Sequence, residues 1–414
     1  MSEWKSLSSI TSKIGSGSTP RGGNSVYSDS GISFIRSQNV LDMDFSTENL
    51  AFINDSQAEK LNNVIVEKND ILLNITGDSI ARCTVVPEEI LPARVNQHVS
   101  IIRCKNTEES KYVMYYLQYM KKYLLQISKV GGTRNALTKE AIGKLPIKIS
   151  DDCNKISKIL DNIDQKIQTN NQINQELEAM AKILYEYWFV QFDFPDQNGK
   201  PYKSSGGKMV YHPELKREIP EGWGVEKLGE LAQFKNGINY EKTSSGSEKV
   251  KIINVRNISS STIFINQTDL DEIFLENDKS TNFIVNEGMI LITRSGIPGA
   301  TRLVSELEAK TVYSGFIIAS EVNDLIYKNL IFYYLKNVEE VLKNQSAGTI
   351  MKNISQSVLT DMAVSLPPQN VLLKFNSIID DLLEQMKNVQ RQNQELTQLR
   401  DWLLPMLMNG QVII

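Results

Sequence analysis

Two halves of this sequence match each other in order at an offset of about 219 residues. A chain built that way folds as two copies of one domain rather than around one large core. FIRSQNV (34–40) lies over IINVRNI (252–258), DILLNITG (70–77) over GMILITRSG (288–296), and GGTRNAL (131–137) over AGTIMKNI (347–354). YYL recurs at 115–117 and 333–335, NQEL at 174–177 and 393–396, and Trp4 with Leu7 and Ile10 is set against Trp223 with Leu228 and Leu231. Any one string arises by chance; the whole run in order, with a drift of a few residues, does not.

Each copy has the same internal plan. Short apolar runs such as ISFIRSQNV, VIVEK, DILLNIT and HVSIIRC alternate with Gly, Asn, Asp and Ser, the pattern of short strands in a largely antiparallel sheet. YVMYYLQYMKKYLLQISK (112–129) then reads as helix. A long polar stretch with heptad spacing closes each copy. Its apolar positions are Ile156, Ile159, Ile163, Ile173, Leu177, Met180 and Leu184 in the first, and Phe375, Ile378, Leu382, Val389, Leu396, Leu399 and Leu403 in the second. A helix of about 36–38 residues at ~1.5 Å per residue is ~55 Å long, and its apolar seam needs a partner. Pairing the two long helices with each other, antiparallel about a pseudo-twofold axis, buries both seams. The expected fold class is therefore α+β. Two similar mixed α/β domains, at 1–150 and 222–368, are joined by two long antiparallel coiled-coil helices, at 151–192 and 369–414, with a polar linker at 193–221.

Composition narrows the function. No apolar run approaches the roughly 18 residues that span a bilayer, and MSEWKSLSSITSK has no apolar core of signal-peptide length, so a cytoplasmic location is expected. Cys83, Cys104 and Cys153 form neither a CxxC pair nor an even disulfide set, and His98 and His212 have no ligand-spaced neighbours; no metal site is expected. With 45 basic and 49 acidic residues, net charge is −4, so any polyanion surface is a local patch. Residues 1–150 hold 18 Lys and Arg against 15 Asp and Glu, whereas residues 222–368 hold 14 against 17. No GxxxxGK[ST] loop is present, so no ATP chemistry is assigned to this chain. Pro195-Asp196 with Glu214-Leu215-Lys216 imitates a Mg-dependent nuclease motif, but it lies in a Gly- and Ser-rich linker with no sheet to fix its ligands. A stand-alone nuclease and a coiled-coil adaptor that never touches DNA are the alternative readings.

Two similar but unequal modules on a rigid spacer suit a periodic ligand. DNA is such a ligand, with half-sites about one helical turn, ~34–36 Å, or a multiple apart. Bases are read by Arg, Lys, Asn, Gln, Ser and Thr, and phosphates are held by cations, hydroxyls and backbone N–H groups. The loop candidates in the first copy are Arg21, Arg36, Gln38, Asn39, Thr76, Arg82, Gly132, Thr133, Arg134 and Asn135. In the second copy they are Arg256, Asn257, Arg294, Ser295, Thr349 and Lys352. Tyr185, Tyr187, Trp188 and Phe189, at helical spacing beside the seam, are expected in the core or at a partner interface.

DILLNITG and its copy, GGTRNALTKEAIGKLPI (131–147), YEYWFVQFDFP (185–195) and IPEGWGVEKLGELA (219–232) together resemble the DNA-specificity (S) subunit of type I restriction-modification enzymes, over essentially the whole chain. The resemblance implies two target-recognition domains that each read half of an asymmetric, split DNA sequence. It implies helices that set the spacer and carry two modification subunits, which methylate adenine N6 with S-adenosylmethionine. Two restriction subunits using ATP and Mg would complete the enzyme. No cofactor is implied for this chain, which would be non-catalytic. The second copy departs from the pattern, with GTIMKN (348–353) where the first has GTRN (132–135). Neither a nucleotide-binding Gly-rich turn nor an aromatic-bearing Pro-Pro motif, which a fused methyltransferase would need to grip a flipped adenine, is present.

Overall fold

The computed structural model describes residues 3–20, 26–129, 135–240, 246–267, 269–344 and 353–412. It divides into two compact units: unit 1 is Met1–Asn170 with Gln392–Ile414, and unit 2 is Asn171–Arg391. This division falls inside the two long helices, not at their ends.

Unit 1 runs β1 (Glu3–Ser6), α1 (Leu7–Ile10), β2 (Thr11–Ser16), β3 (Ile32–Ile35), β4 (Ala51–Ile53), α2 (Asp55–Glu59), β5 (Ile65–Val66), β6 (Ile71–Asn74), β7 (Cys83–Val85), β8 (Ala93–Val95) and β9 (Val99–Cys104). It continues with α3 (Ser110–Tyr119), α4 (Lys121–Ile127), α5 (Lys139–Gly143), β10 (Pro146–Ile149) and the start of α6 (Cys153–Tyr185). The main sheet has the order β2-β9-β6-β7 and is antiparallel throughout. A second sheet, β4-β3-β8-β5, contains one parallel pair, β3 with β8. The strand β6 is fully buried, which suits its apolar run Ile71–Leu73: Ile71 and Leu73 enter the core beneath the helices, while Leu72 enters the core against the second sheet.

Unit 2 begins in the second half of α6. The hairpin β11 (Met209–His212) and β12 (Arg217–Pro220) follows, then β13 (Gly224–Lys227), α7 (Leu228–Leu231), β14 (Ala232–Asn236), β15 (Glu248–Ile253), α8 (Val255–Ser259) and β16 (Asp271–Leu275). After these come α9 (Asn277–Ser280), β17 (Ile290–Thr293), β18 (Thr301–Leu303), β19 (Thr311–Tyr313), β20 (Ile317–Val322), α10 (Lys328–Asn344), α11 (Gln356–Asp361), β21 (Ala363–Leu366) and α12 (Gln369–Asn409). Its main sheet, β14-β20-β17-β18, repeats the strand order of unit 1, and β15 pairs parallel with β19 as β3 does with β8. In β17, Ile290 and Ile292 face one core and Leu291 the other, the alternation of β6. The duplication legible in the sequence is thus a duplication of fold. One correspondence shifts: β1 pairs with β10 as β13 pairs with β21, with Leu7 answering Leu228, which sets exposed Trp4 against Val225. Trp223 is instead a buried residue of unit 2.

The long helices pair, along only part of the expected seam. In unit 1, Asp164 of α6 meets Arg400 of α12 at 2.8 Å, and Asn170 donates to Asn393 at 2.9 Å and to Gln392 at 3.3 Å. Rising numbers on one helix meet falling numbers on the other, so this pair is antiparallel. The buried apolar positions include Ile156, Leu160, Ile163, Leu404, Leu407 and Met408 in unit 1, and Leu177, Ala181, Tyr185, Phe375, Ile379, Leu382, Leu383 and Met386 in unit 2. Ile173, Met180, Ile378 and Leu399, expected in the seam, are exposed; Ile159, Leu184, Val389, Leu396 and Leu403 are half-buried. The cause is geometric. A strict 3.5-residue repeat describes two helices that touch only each other, whereas each of these also packs on the strands and helices of the units it runs through, so the apolar face follows 3.6 residues and is wider.

The segment expected as a bare linker, 193–221, carries ordered structure. Asp196 accepts from the backbone N–H groups of Asn198 and Lys200, and the Ser204 hydroxyl and N–H hold the Asp193 carboxyl below the usual carboxylate range. Phe194 stacks on Tyr202 at 4.8 Å, and Phe192 meets Trp223 edge-on at 5.4 Å. Asp196 is therefore a turn-forming residue, and Glu214 and Lys216 lie in the turn between β11 and β12; this geometry gives the nuclease reading no support. The cysteines are free and buried, and burial pushes the Cys83 thiol up to about 12.

Asp164 is held by Arg400 and by the Tyr115 hydroxyl at 2.6 Å, with both charged side chains largely out of solvent. Arg400→Met should lower stability by about 3 kcal/mol, because it leaves a buried carboxylate unpaired. The double variant Asp164→Asn/Arg400→Met should lie closer to wild type. Urea unfolding of the three variants measures both; an Arg400→Met protein as stable as wild type contradicts the account.

Candidate nucleic-acid interface

At one end of the main sheet of unit 1, five segments converge, and backbone bonds hold them there. The chain leaving β2 bonds through Gly17 N–H to Val99 O (2.9 Å). A Cβ at Gly17 would sit 2.1 Å from Asn96 O, so only glycine permits this approach. The loop after β6 bonds through Ile75 N–H to His98 O (3.0 Å), and Leu137 N–H bonds to Ile75 O (2.9 Å). Asn74, buried at the end of β6, donates to Ser37 O and to Ser79 Oγ, which ties the loop after β3 to the loop after β6.

Unit 2 builds the same end with the same bonds. Gly237 N–H bonds to Ile317 O, Arg294 N–H to Phe316 O (2.8 Å), and Ile354 N–H to Arg294 O (2.9 Å). A Cβ at Gly237 would lie 2.3 Å from Ser314 O. The turns after β3 and β15 also coincide: Asn39 Oδ1 accepts from Arg36 N–H at 3.0 Å, and Asn257 Oδ1 accepts from Asn254 N–H at 2.8 Å. The backbone frame is common, and the side chains it presents to solvent differ.

The candidate residues divide into those that build the frame and those that face outward. Asn39 and Asn257 are buried, and each also donates to a backbone carbonyl across the turn, Ser46 O and Asp269 O respectively. They are corrected from base contacts to turn residues, because neither amide end is available. Arg36 lies over the Tyr27 ring and bonds Asn49 O, and Arg294 bonds Gly315 O; both pin loops. Arg256 is exposed but paired with Asp269 and Asp271, which cancels much of the local positive charge. Gln38 and Asn135 are exposed, and Thr76, Arg82 and Ser295 are half-buried at the loop end. Arg21, Gly132, Thr133, Arg134, Thr349 and Lys352 lie outside the described residues.

Of the two places expected for the aromatic group, the core and a partner interface, three of its members take the core. Tyr185, Trp188 and Phe189 are buried within unit 2, where Phe189 meets Phe375 edge-on at 4.7 Å and Trp188 lies 5.8 Å from the same ring. They cannot present a partner surface. Tyr187, on the outer side of the π-helical turn Glu186–Val190, is exposed. Sequence reasoning overlooked Gln97 and His98 in unit 1 and Gly315 and Phe316 in unit 2, which occupy one loop in the two frames. The sequence carried little signal for them: VSIIRC (99–104) and IIASEV (317–322), the strands they precede, share no residue at equivalent positions.

Exposure separates these roles in solution. Asn39→Ala and Asn257→Ala should each cost about 2 kcal/mol, since each strands buried turn groups. Gln38→Ala should leave the melting temperature unchanged and weaken DNA binding. Thermal melts paired with a binding isotherm check both; a large melting shift in Gln38→Ala contradicts the division.

Residues 1–179 and 220–398 match the family described as the type I restriction modification DNA specificity domain. The chain is 27% identical over 333 residues to the type I restriction enzyme MjaIX specificity subunit of Methanocaldococcus jannaschii, covering 78% of this chain and 73% of that protein. It is 23% identical over 343 residues to the HindI specificity subunit of Haemophilus influenzae, covering 68% and 72%. A crystal structure of a type I restriction-modification S subunit from M. genitalium shares the fold, with TM-score 0.54 over 99% of this chain and 96% of that one, at 13% identity.

Proposed function

The chain belongs to the type I restriction-modification DNA specificity family, which matches it twice, and from that premise we infer how the described residues serve a non-catalytic DNA-recognition subunit. Residues 1–150 and 222–368 act as target-recognition domains, each reading one half of an asymmetric bipartite sequence through the loop end described above. The observation that carries this reading is the repeated frame: identical backbone bonds with different exposed side chains allow two half-sites to be held alike and read differently.

The helices α6 and α12 are the segments shared by both units, and they are assigned to setting the half-site spacing. They also offer docking surface to two modification subunits, and exposed Ile173, Met180, Ile183 and Tyr187 on and beside α6 belong to that surface. S-adenosylmethionine belongs to those subunits, and ATP and Mg to two restriction subunits where these are present. Among the described residues no helix is long and apolar enough to cross a membrane, and no group of three His, Cys, Asp or Glu residues is arranged to hold a metal ion. A cytoplasmic location fits this role.

Footprinting with the chain and its modification subunits should protect two short blocks separated by an unread spacer. Protection without sequence preference overturns the reading. Exchanging residues 1–150 for those of another family member should change one half of the recognised sequence only, and methylome sequencing reads this directly; a change in both halves contradicts modular recognition.

A further inference from the structure

We propose that the loop between β8 and β9, with its counterpart between β19 and β20, determines one base in each half-site, through Gln97 in unit 1 and Phe316 in unit 2. The proposal rests on the DNA-recognition reading above and names residues within it. The two loops are equivalent by strand register: Asn74 pairs with Val99 and Thr293 with Ile317, so His98 answers Phe316 and Gln97 answers Gly315. Both are anchored by the same bond from the loop after the central strand, onto His98 O and Phe316 O. The backbone is therefore held alike while the chemistry it displays is opposite.

In unit 1 the loop displays an oriented amide. His98 N–H bonds Asn96 Oδ1 at 3.0 Å, and its ring bridges Thr76 Oγ1 at 2.6 Å on Nδ1 and Gln97 Nε2 at 3.3 Å on Nε2. One proton assignment satisfies both contacts: Nδ1–H donates to Thr76 Oγ1, and Nε2 accepts one hydrogen from the Gln97 amide. The second amide hydrogen and Oε1 of exposed Gln97 then point outward as a donor beside an acceptor. That pair matches adenine N7 and N6–H₂ in the major groove. His98 and Thr76 are positioning residues that restrict the rotamers of Gln97, so less ordering entropy is lost on contact.

In unit 2 the loop displays an aromatic ring. Phe316 is 64% exposed, a large apolar side chain that no core claims. Gly315, which answers Gln97, has no side chain, so no amide stands beside the ring. A ring in this place makes an apolar contact, for which the thymine methyl is the complementary base group.

The test uses the full chain assembled with its modification subunits and a randomised DNA library, with adenine methylation as the readout. Gln97→Ala should relax discrimination at one base of one half-site by roughly tenfold and leave the other half unchanged. His98→Ala should relax the same base to a smaller degree. Gln97→Glu should shift that base toward cytosine, whose N4 amine donates to an acceptor-only side chain, a change that misfolding cannot imitate. Phe316→Ala should relax one base of the other half-site, and Phe316→Leu should retain more of the preference. Wild-type preference at every position in Gln97→Ala, Gln97→Glu and Phe316→Ala overturns the inference while leaving the recognition reading intact. A wild-type assembly without any base preference overturns both.

Discussion

A strand buried on both faces has to be apolar along its length and has to bond its backbone to neighbours on both sides, and in each unit the fold depends on one such strand. In unit 1 it is Ile71–Asn74, between β9 and β7; in unit 2 it is Ile290–Thr293, between β20 and β18. Alternate residues enter two different cores, so a single polar replacement would be stranded in one of them. The polar residues that end these strands, Asn74 and Thr293, are also buried and bond loop groups instead of water. The recognition loops therefore start from a rigid edge.

That rigidity explains how the two halves differ in chemistry and not in shape. The residues that hold the loops, among them Gly17, Gly237, Asn39 and Asn257, are fixed by close approach or by buried hydrogen bonds. Exposed Gln38 and Arg256 occupy one position in the two frames, and exposed Gln97 answers Gly315; at these positions the two copies differ. A site built on a rigid frame with interchangeable exposed side chains changes what it reads without refolding.

The long helices obey a different rule. Their exposed middle is polar, and the one fully buried side chain there, Asn170, meets Gln392 and Asn393. A buried amide that bonds only in one alignment fixes register at a cost in stability. Asp164, Arg400 and Tyr115 act in the same sense about two turns away, tying the helix pair to α3 in unit 1. Burial raises the Asp164 carboxyl above its ordinary range, opposed by its bonds to Tyr115 and Arg400, so the charged pair contributes specificity of alignment more than net stability.

The amino-acid order by itself determined that the fold is repeated and where its long helices fall, because periodicity and motif spacing are local properties. Which apolar helix residues are inside was decided by tertiary structure: Ile379 and Leu404 rather than Ile378 and Leu403 are buried, since each helix packs on the strands and helices of the units it runs through as well as on its partner. The same holds for the aromatics around Phe375, whose burial depends on residues nearly two hundred positions away. Asn39 and Asn257 looked like DNA contacts because their side chains suit base edges, yet the folded turns consume them. Side-chain type is written in the sequence; whether a hydrogen-bonding group is still unspent depends on which distant backbone reaches it first.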